Sequence, residues 1–426
     1  MRLLSLAAVA AAAAVAYLMP APEAPQPDPA VEAEAAAVAV CAVEEGAGRS
    51  TEVSILSTVD GPAALTLLAG GEAPGSIGLE TGPSGSVVVP VVDVAAVGSP
   101  VGLVEMPAPS SAAGTVVTGS TSLSAEACEA APGPQALIAG GSTASGWAFE
   151  LRLMNPYAGE AVVDLSVQSE VGAESTDRLE SVIVPSRSSR VVDFNELTPG
   201  REMITVTVDT RVGRVAAVGR QGREGEVAVW RAVAPAQEWF VPVPAGPGAK
   251  ELLIATSADG EVAYEVALHG PDGVDEGFAA GTLPPKGRAA VDLAALGESA
   301  GGLRVLAAGP VAATLWVRSE TALAATTGSP VSASRWFLPG ASAVGSGRSS
   351  AVIFNAGIDD DTVVVRPLKD GAYARSLALP AESAIEVGLA AADGYLIEST
   401  GPMAAAWAAS RGEAAMLAGG VPAPGG

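Results

Sequence analysis

A chain of 426 residues carrying a formal net charge of −24 repels phosphate backbones, and its 23 lysines and arginines form no cluster, which sets nucleic acid aside as a partner. Hydrophobic residues make up 49% of the chain, enough to bury several cores, which excludes an acidic disordered polymer. Aromatics stand at 4% while glycines and prolines number 50 and 32, a composition suited to short strands separated by many turns.

The chain opens with "MRLLSLAAVAAAAAVAYLMP", in which Arg2 leads an uncharged run from Leu3 to Met19 that Pro20 ends. As a helix this run spans roughly 25 Å, marginal against a hydrocarbon core of about 30 Å. Ala14, Val15 and Ala16 also form a small-x-small cleavage site. Residues 1–20 are therefore expected to be an N-terminal apolar helix, either a removed signal peptide or a retained membrane anchor. Both readings export the rest of the chain, with membrane contact through this segment if it is uncleaved. Residues 21–37, "APEAPQPDPAVEAEAAA", have nothing to bury and read as a semi-stiff spacer.

Folded sequence is expected from Val38 onward. The two cysteines, Cys41 and Cys128, belong to an exported chain that meets an oxidising compartment, and they are expected to join. No C-x-x-C is present and the sole histidine, His269, is far away, so no metal site and no cofactor are expected.

One pattern then recurs. "LRLMNPYAGEAVVDLSV" from Leu151 alternates into a small polar turn and alternates again, the signal of a hairpin. Similar stretches begin at Val53, Leu252 and Ala351. Their turn positions Thr58, Asn155, Thr256 and Asn355 lie about 100 residues apart, too long for a propeller blade and suited to one small β-sandwich per copy. Around each hairpin the same order repeats: an opening strand, the hairpin, a Pro-marked turn such as "IVPSRSSRVVDF" from Ile183, and a closing hairpin such as "LRVLAAGPVAATLWVR" from Leu303. The last copy shows seven strand candidates: near Trp336, then Ala351–Phe354, Thr362–Arg366, Ser376–Leu379, Ala384–Val387, Tyr395–Glu398 and Ala404–Ala408. Seven short strands with regular turn signals are an immunoglobulin-like signature.

The order "CEAAPGPQALIAGGS…LRLMNPYAGEAVVDLSV…IVPSRSSRVVDF" and the phrase "WFLPGASA" resemble a family of exported actinobacterial proteins catalogued as a domain of unknown function, number 5719. The resemblance runs from about Cys41 to the C-terminus and includes a similarly placed cysteine pair. It implies an export or anchor segment, a β-rich ectodomain and a cell-envelope setting, and it brings no catalytic residues.

Possible chemistry is sparse. "GESAGG" from Gly297 matches the G-x-S-x-G nucleophile elbow, but His269 precedes Ser299 and no strand–helix alternation surrounds it, so an inter-strand turn is expected. His269, at a strand end before a turn, is expected to be an exposed imidazole. Asp359, Asp360 and Asp361 lack the loop spacing of a calcium site. Trp230, Trp239, Trp316, Trp336 and Trp407 are expected in cores, whereas Trp147, in the loop "GSTASGW", is the aromatic most suited to ligand contact.

The expected fold is all-β: a tandem array of four immunoglobulin-like β-sandwich modules, residues 38–131, 132–235, 236–331 and 332–420, each with its own core. The expected function is that of a non-enzymatic, exported or membrane-tethered envelope ectodomain, a scaffold or interaction module whose partner is an envelope protein or glycan. A carbohydrate- or peptidoglycan-binding array and a hydrolase, acting through Ser299 or an unmarked carboxylate pair, are the alternatives.

Overall fold

The computed structural model describes residues 38–43, 49–56, 61–68, 75–81, 86–91, 101–106, 111–119, 123–129, 132–174, 176–340, 344–345, 347–368, 373–411 and 414–422. The N-terminal apolar segment and the spacer lie outside the described residues. Among those described, no helix is long and apolar enough to cross a membrane.

The first strands are β1 (Val38–Ala42), β2 (Ser50–Leu56), β3 (Gly61–Leu68), β4 (Gly75–Thr81), β5 (Ser86–Pro90), β6 (Val101–Glu105), β7 (Ala112–Thr118) and β8 (Leu123–Ala127). They pair antiparallel into two sheets, ordered β1-β6-β3-β4 and β5-β2-β7-β8. A second set follows with β9 (Gln135–Ala139), β10 (Trp147–Asn155), β11 (Ala161–Ser169), β12 (Gly172–Glu174), β13 (Val182–Val184), β14 (Ser188–Asp193), β15 (Thr205–Val212), β16 (Ala216–Arg223) and β17 (Glu226–Arg231). Its sheets, β12-β11-β15-β9 and β14-β10-β16-β17, repeat the first order. β11 shows how residue pattern makes these sheets. In "AVVDLSVQS" every second residue from Ala161 is buried and those between are half-buried, one face to a core and one outward.

The third set comprises β18 (Ala236–Val243), β19 (Ala249–Thr256), β20 (Val262–Gly270), β21 (Gly273–Leu283), β22 (Arg288–Asp292), β23 (Gly301–Arg318) and β24 (Leu323–Thr327). β23 pairs with β18 and β20 along its first half and with β19 and β24 along its second, doing the work of both β6 and β7. The fourth set comprises β25 (Ala333–Pro339), β26 (Arg348–Asn355), β27 (Asp361–Pro367), β28 (Arg375–Leu379), β29 (Ser383–Gly388), β30 (Gly394–Arg411), β31 (Ala414–Gly419) and β32 (Val421–Pro422). Here the two strands expected at Tyr395–Glu398 and Ala404–Ala408 are one, because the chain stays extended while it passes from one sheet to the other. β31 was not anticipated. "AAMLAG" is buried on both faces, so it shows no alternation.

After each closing hairpin the chain returns to its own opening strand, pairing Val40 with Glu129, Leu137 with Val233, Phe240 with Ser329 and Phe337 with Val421. In the first set this return carries the expected disulfide: Cys41 and Cys128 are joined at an S–S distance of 2.01 Å, both buried.

The recurring hairpin owes its form to one buried side chain. Asn355 Nδ2 donates to the carbonyls of Asp359 (2.8 Å) and Pro380 (3.3 Å), and its Oδ1 accepts from the Gly357 N–H (2.8 Å). Asn155 does the same with Gly159, Val184 and Tyr157. Thr256 accepts from Ala258 N–H with its hydroxyl. Against each turn leans the Pro-marked turn, whose left-handed residue, Arg187 (φ 47°), Lys286 (φ 52°) or Glu382 (φ 52°), donates its N–H to Tyr157, Ala258 or Gly357. Leu56, Met154, Ala255 and Phe354 face Ala112, Ala216, Ala312 and Ala404, and the first-copy turn position, Thr58, lies outside the described residues. Replacing Asn355 with Ala strands three polar groups, and a loss of roughly 2–3 kcal/mol is expected. Denaturant melts of the variant would test this; a loss below about 0.5 kcal/mol would show that the turn holds itself.

The first set has a core cluster of its own, but the later sets share theirs. One cluster runs through the second and third sets and takes in Val352 and Ala406 of the fourth. Successive sets meet at sheet faces: Val40 and Leu103 with Met154, Gly140 with Trp316, Gly302 with Phe354. At Gly302 a Cβ would lie 2.3 Å from the Phe354 ring, so only glycine lets the next set approach this closely. The fourth set then meets the first, where Leu56 and Ala112 pack against Phe337, Leu368 and Leu396. The closing strands complete the circuit: β8 contacts β17, β17 contacts β24, β24 contacts β31 and β31 contacts β8. Three of these four strands are rich in small residues, "LSAEA", "LAATT" and "AAMLAG", because strands meeting at one line leave little side-chain room.

Candidate functional site

The structure places the sequence candidates apart from one another. Ser299 lies in the loop after a single 3-10 turn, Ala294–Leu296, and that loop runs into a strand, the reverse of the strand-to-helix elbow. The neighbouring cation, Lys250, is buried and spends its donors on the carbonyls of Gly297 (2.9 Å) and Ser299 (3.4 Å). Burial holds its ammonium below the usual lysine range.

His269 is not an exposed imidazole. It is 2% exposed, with Nδ1 at 3.0 Å from the Glu382 carbonyl of the fourth set and its ring 4.8 Å from that of Phe354. Packing of the fourth set over the end of β20 buries it, which the local sequence does not announce. Asp360 accepts the Ala381 N–H and Asp361 the Thr400 hydroxyl, so these acids pin turns. Trp230, Trp239, Trp316, Trp336 and Trp407 are all core residues, at most 1% exposed. Trp147 is half-buried, and the Arg223 guanidinium stands over its ring at 5.0 Å.

Among the described places that gather polar groups from more than one set, two stand out. The first is the line where the closing strands meet. Glu126 on β8 is 2% exposed; one carboxylate oxygen accepts the Ala127 N–H at 2.8 Å, and the other makes no full hydrogen bond among the described residues. Arg231 of β17 stands 3.9 Å away, too far to hydrogen-bond, and is also 3.8 Å from Glu129. Burial pushes the Glu126 carboxyl up to about 7, a rise that Arg231 only partly offsets. Thr327 of β24 donates to the Arg231 carbonyl, and Gly419 of β31 is so close that a Cβ would lie 3.8 Å from the Glu126 carboxylate.

The second is a groove of about 420 Å³ on the outer face of the second set. Its floor is the outward row of β11: Asp164, Ser166 and Gln168. One wall is the arm between β12 and β13, residues 176–181, anchored by buried Leu179. Lys286, at the tip of the third set's Pro-marked turn, closes another side. The arm is tied down from both ends. Arg211 grips Asp164 (2.7 Å) and the Ser181 hydroxyl, and Asp164 accepts the Ser181 N–H at 2.7 Å. Arg201 and the Ser169 hydroxyl bind Glu174 and hold its carboxyl below the usual range. Trp147 does not line this groove.

The sequence reading passed over both places. Glu126 carried a signal, a lone acid inside a strand of small residues, and the groove carried one in the longer second-copy connection between the hairpin and the Pro-marked turn.

A family model described as a family of unknown function (DUF5719) matches residues 91–390. No curated protein matches. A solved structure described as a tetra-tandem repeat in the extending region of a large adhesion protein is 10% identical, over 91% of this chain and 99% of that one, with a TM-score of 0.11.

Proposed function

The chain belongs to this family of unknown function, and on that footing we propose that it is a non-enzymatic cell-envelope ectodomain, exported and either released or tethered by its N-terminal segment, acting as a scaffold or interaction module. In this reading the strand sets are four immunoglobulin-like β-sandwich modules, residues 38–131, 132–235, 236–331 and 332–420, carried behind the apolar segment 1–20 and the spacer 21–37.

The observation that carries the reading is the closed circuit of sheet and strand contacts. An extended string of modules offers reach. A circuit offers a rigid body whose loops and outer faces hold constant relative positions, so ligands are met without an ordering cost. Several weak contacts to a repeating envelope polymer would then reinforce one another.

Purified full-length protein, cross-linked in envelope extract, is expected to capture a defined envelope protein or glycan, and capture is expected to compete with unlabelled protein. Absence of any competed partner would count against the interaction role. The non-enzymatic part has its own test. A fluorophosphonate probe should leave the folded protein unlabelled, and labelling abolished by Ser299→Ala would restore the hydrolase reading.

A further inference from the structure

We propose that the groove over β11 binds a neutral, polyhydroxylated ligand, a short segment of glycan. Three observations carry this. The groove is preformed, since the arm over it is held by the Arg211–Asp164–Ser181 and Arg201–Glu174–Ser169 contacts rather than by any ligand. Its volume, about 420 Å³, falls in the range of small-molecule sites.

Its chemistry selects the ligand class. Asp164 and Glu174 are matched by their arginines, and Lys286 by Asp259 at 3.1 Å, so no bare cation awaits an anion. The remaining polar groove groups, Ser166, Gln168, Thr176 and Glu180, offer hydroxyl, amide and carboxylate, the donors and acceptors that sugar hydroxyls satisfy. Apolar side chains contribute too little of the lining to hold a lipid.

The arm is also an addition the fold does not require. In the third set the corresponding connection is one unbroken strand, β21, whereas in the second the chain leaves the sheet to form a 3-10 turn, Asp177–Leu179. On β15, the neighbouring inner strand of this sheet, Thr205 and Thr207 are buried. The row on β11 stays open.

The inference rests on the interaction-module reading but fails separately, since a protein partner seated elsewhere would leave that reading standing. The test is calorimetric titration of full-length protein with neutral hexose and pentose oligosaccharides, sulfated oligosaccharides and oligolysine. Saturable binding of at least one neutral oligosaccharide is expected. The Ser166→Ala/Gln168→Ala variant should weaken it at least about tenfold with an unchanged thermal midpoint, because two or more hydrogen bonds are lost from half-buried outward positions. Glu180→Ala, a change on the arm, should weaken it independently. The proposal is overturned if no neutral oligosaccharide binds, or if only the sulfated or cationic probe does. It is equally overturned if binding survives both groove variants and vanishes in Trp147→Ala.

Discussion

Removing the disulfide with Cys41→Ala/Cys128→Ala is expected to lower stability by about 4–5 kcal/mol on the chain-entropy account of a loop this long. The two cysteines are 87 residues apart, and their bond closes nearly the whole first set. In the second and third sets the equivalent return is held by single backbone bridges, Leu137 to Val233 and Phe240 to Ser329. Their opening strands are, however, covalently continuous with a preceding folded set. β1 is the first described strand, and the disulfide ties it to the end of its own set. The variant should therefore melt several degrees lower, and hydrogen exchange should loosen β1 and β6 before any other strand. Because both sulfurs are buried, reductant should leave the folded wild type unchanged. A variant whose melting point matches the wild type, or one that loosens uniformly, would remove this role.

Glu126→Gln should stabilise the protein at pH 8 and not at pH 5. The native carboxyl titrates near 7 against an ordinary value of 4.5, because burial at the meeting line of β8, β17, β24 and β31 disfavours its charge. The folded state thus holds this proton more tightly than the unfolded chain. Its contribution is fully present below about pH 4.5, declines through the window up to about 7 and is lost above it. Full ionisation costs roughly 3 kcal/mol. Glutamine keeps the acceptor for Ala127 N–H and removes the charge, while Arg231 retains Glu129 as a partner. A gain of about 2 kcal/mol at pH 8 is expected, shrinking towards zero at pH 5. If the wild type and the variant show parallel stability profiles across that range, Glu126 is not the group that responds.

Much of the site was beyond a linear reading for a definable reason. Burial of His269 depends on Glu382 and Phe354 of the following set. The charge cost at Glu126 depends on strands from all four sets. In each case the deciding neighbours lie far along the chain, where no local spacing points to them. The buried asparagines were closer to legible, since Asn155 and Asn355 act within their own hairpins and their pattern repeats.

What the residues settled unaided was local and periodic: strand alternation, as in Ala161–Ser169, the repeat of about 100 residues, the tryptophans in cores and the pairing of the only two cysteines. These follow from side-chain period and chemistry, which a few neighbouring positions express. Tertiary structure alone decided that the last set returns to the first, that β23 and β30 each serve two sheets, and that the row on β11 stays uncovered. Such outcomes depend on which faces shed water against each other, and a face acquires its partner only when distant parts of the chain are brought together.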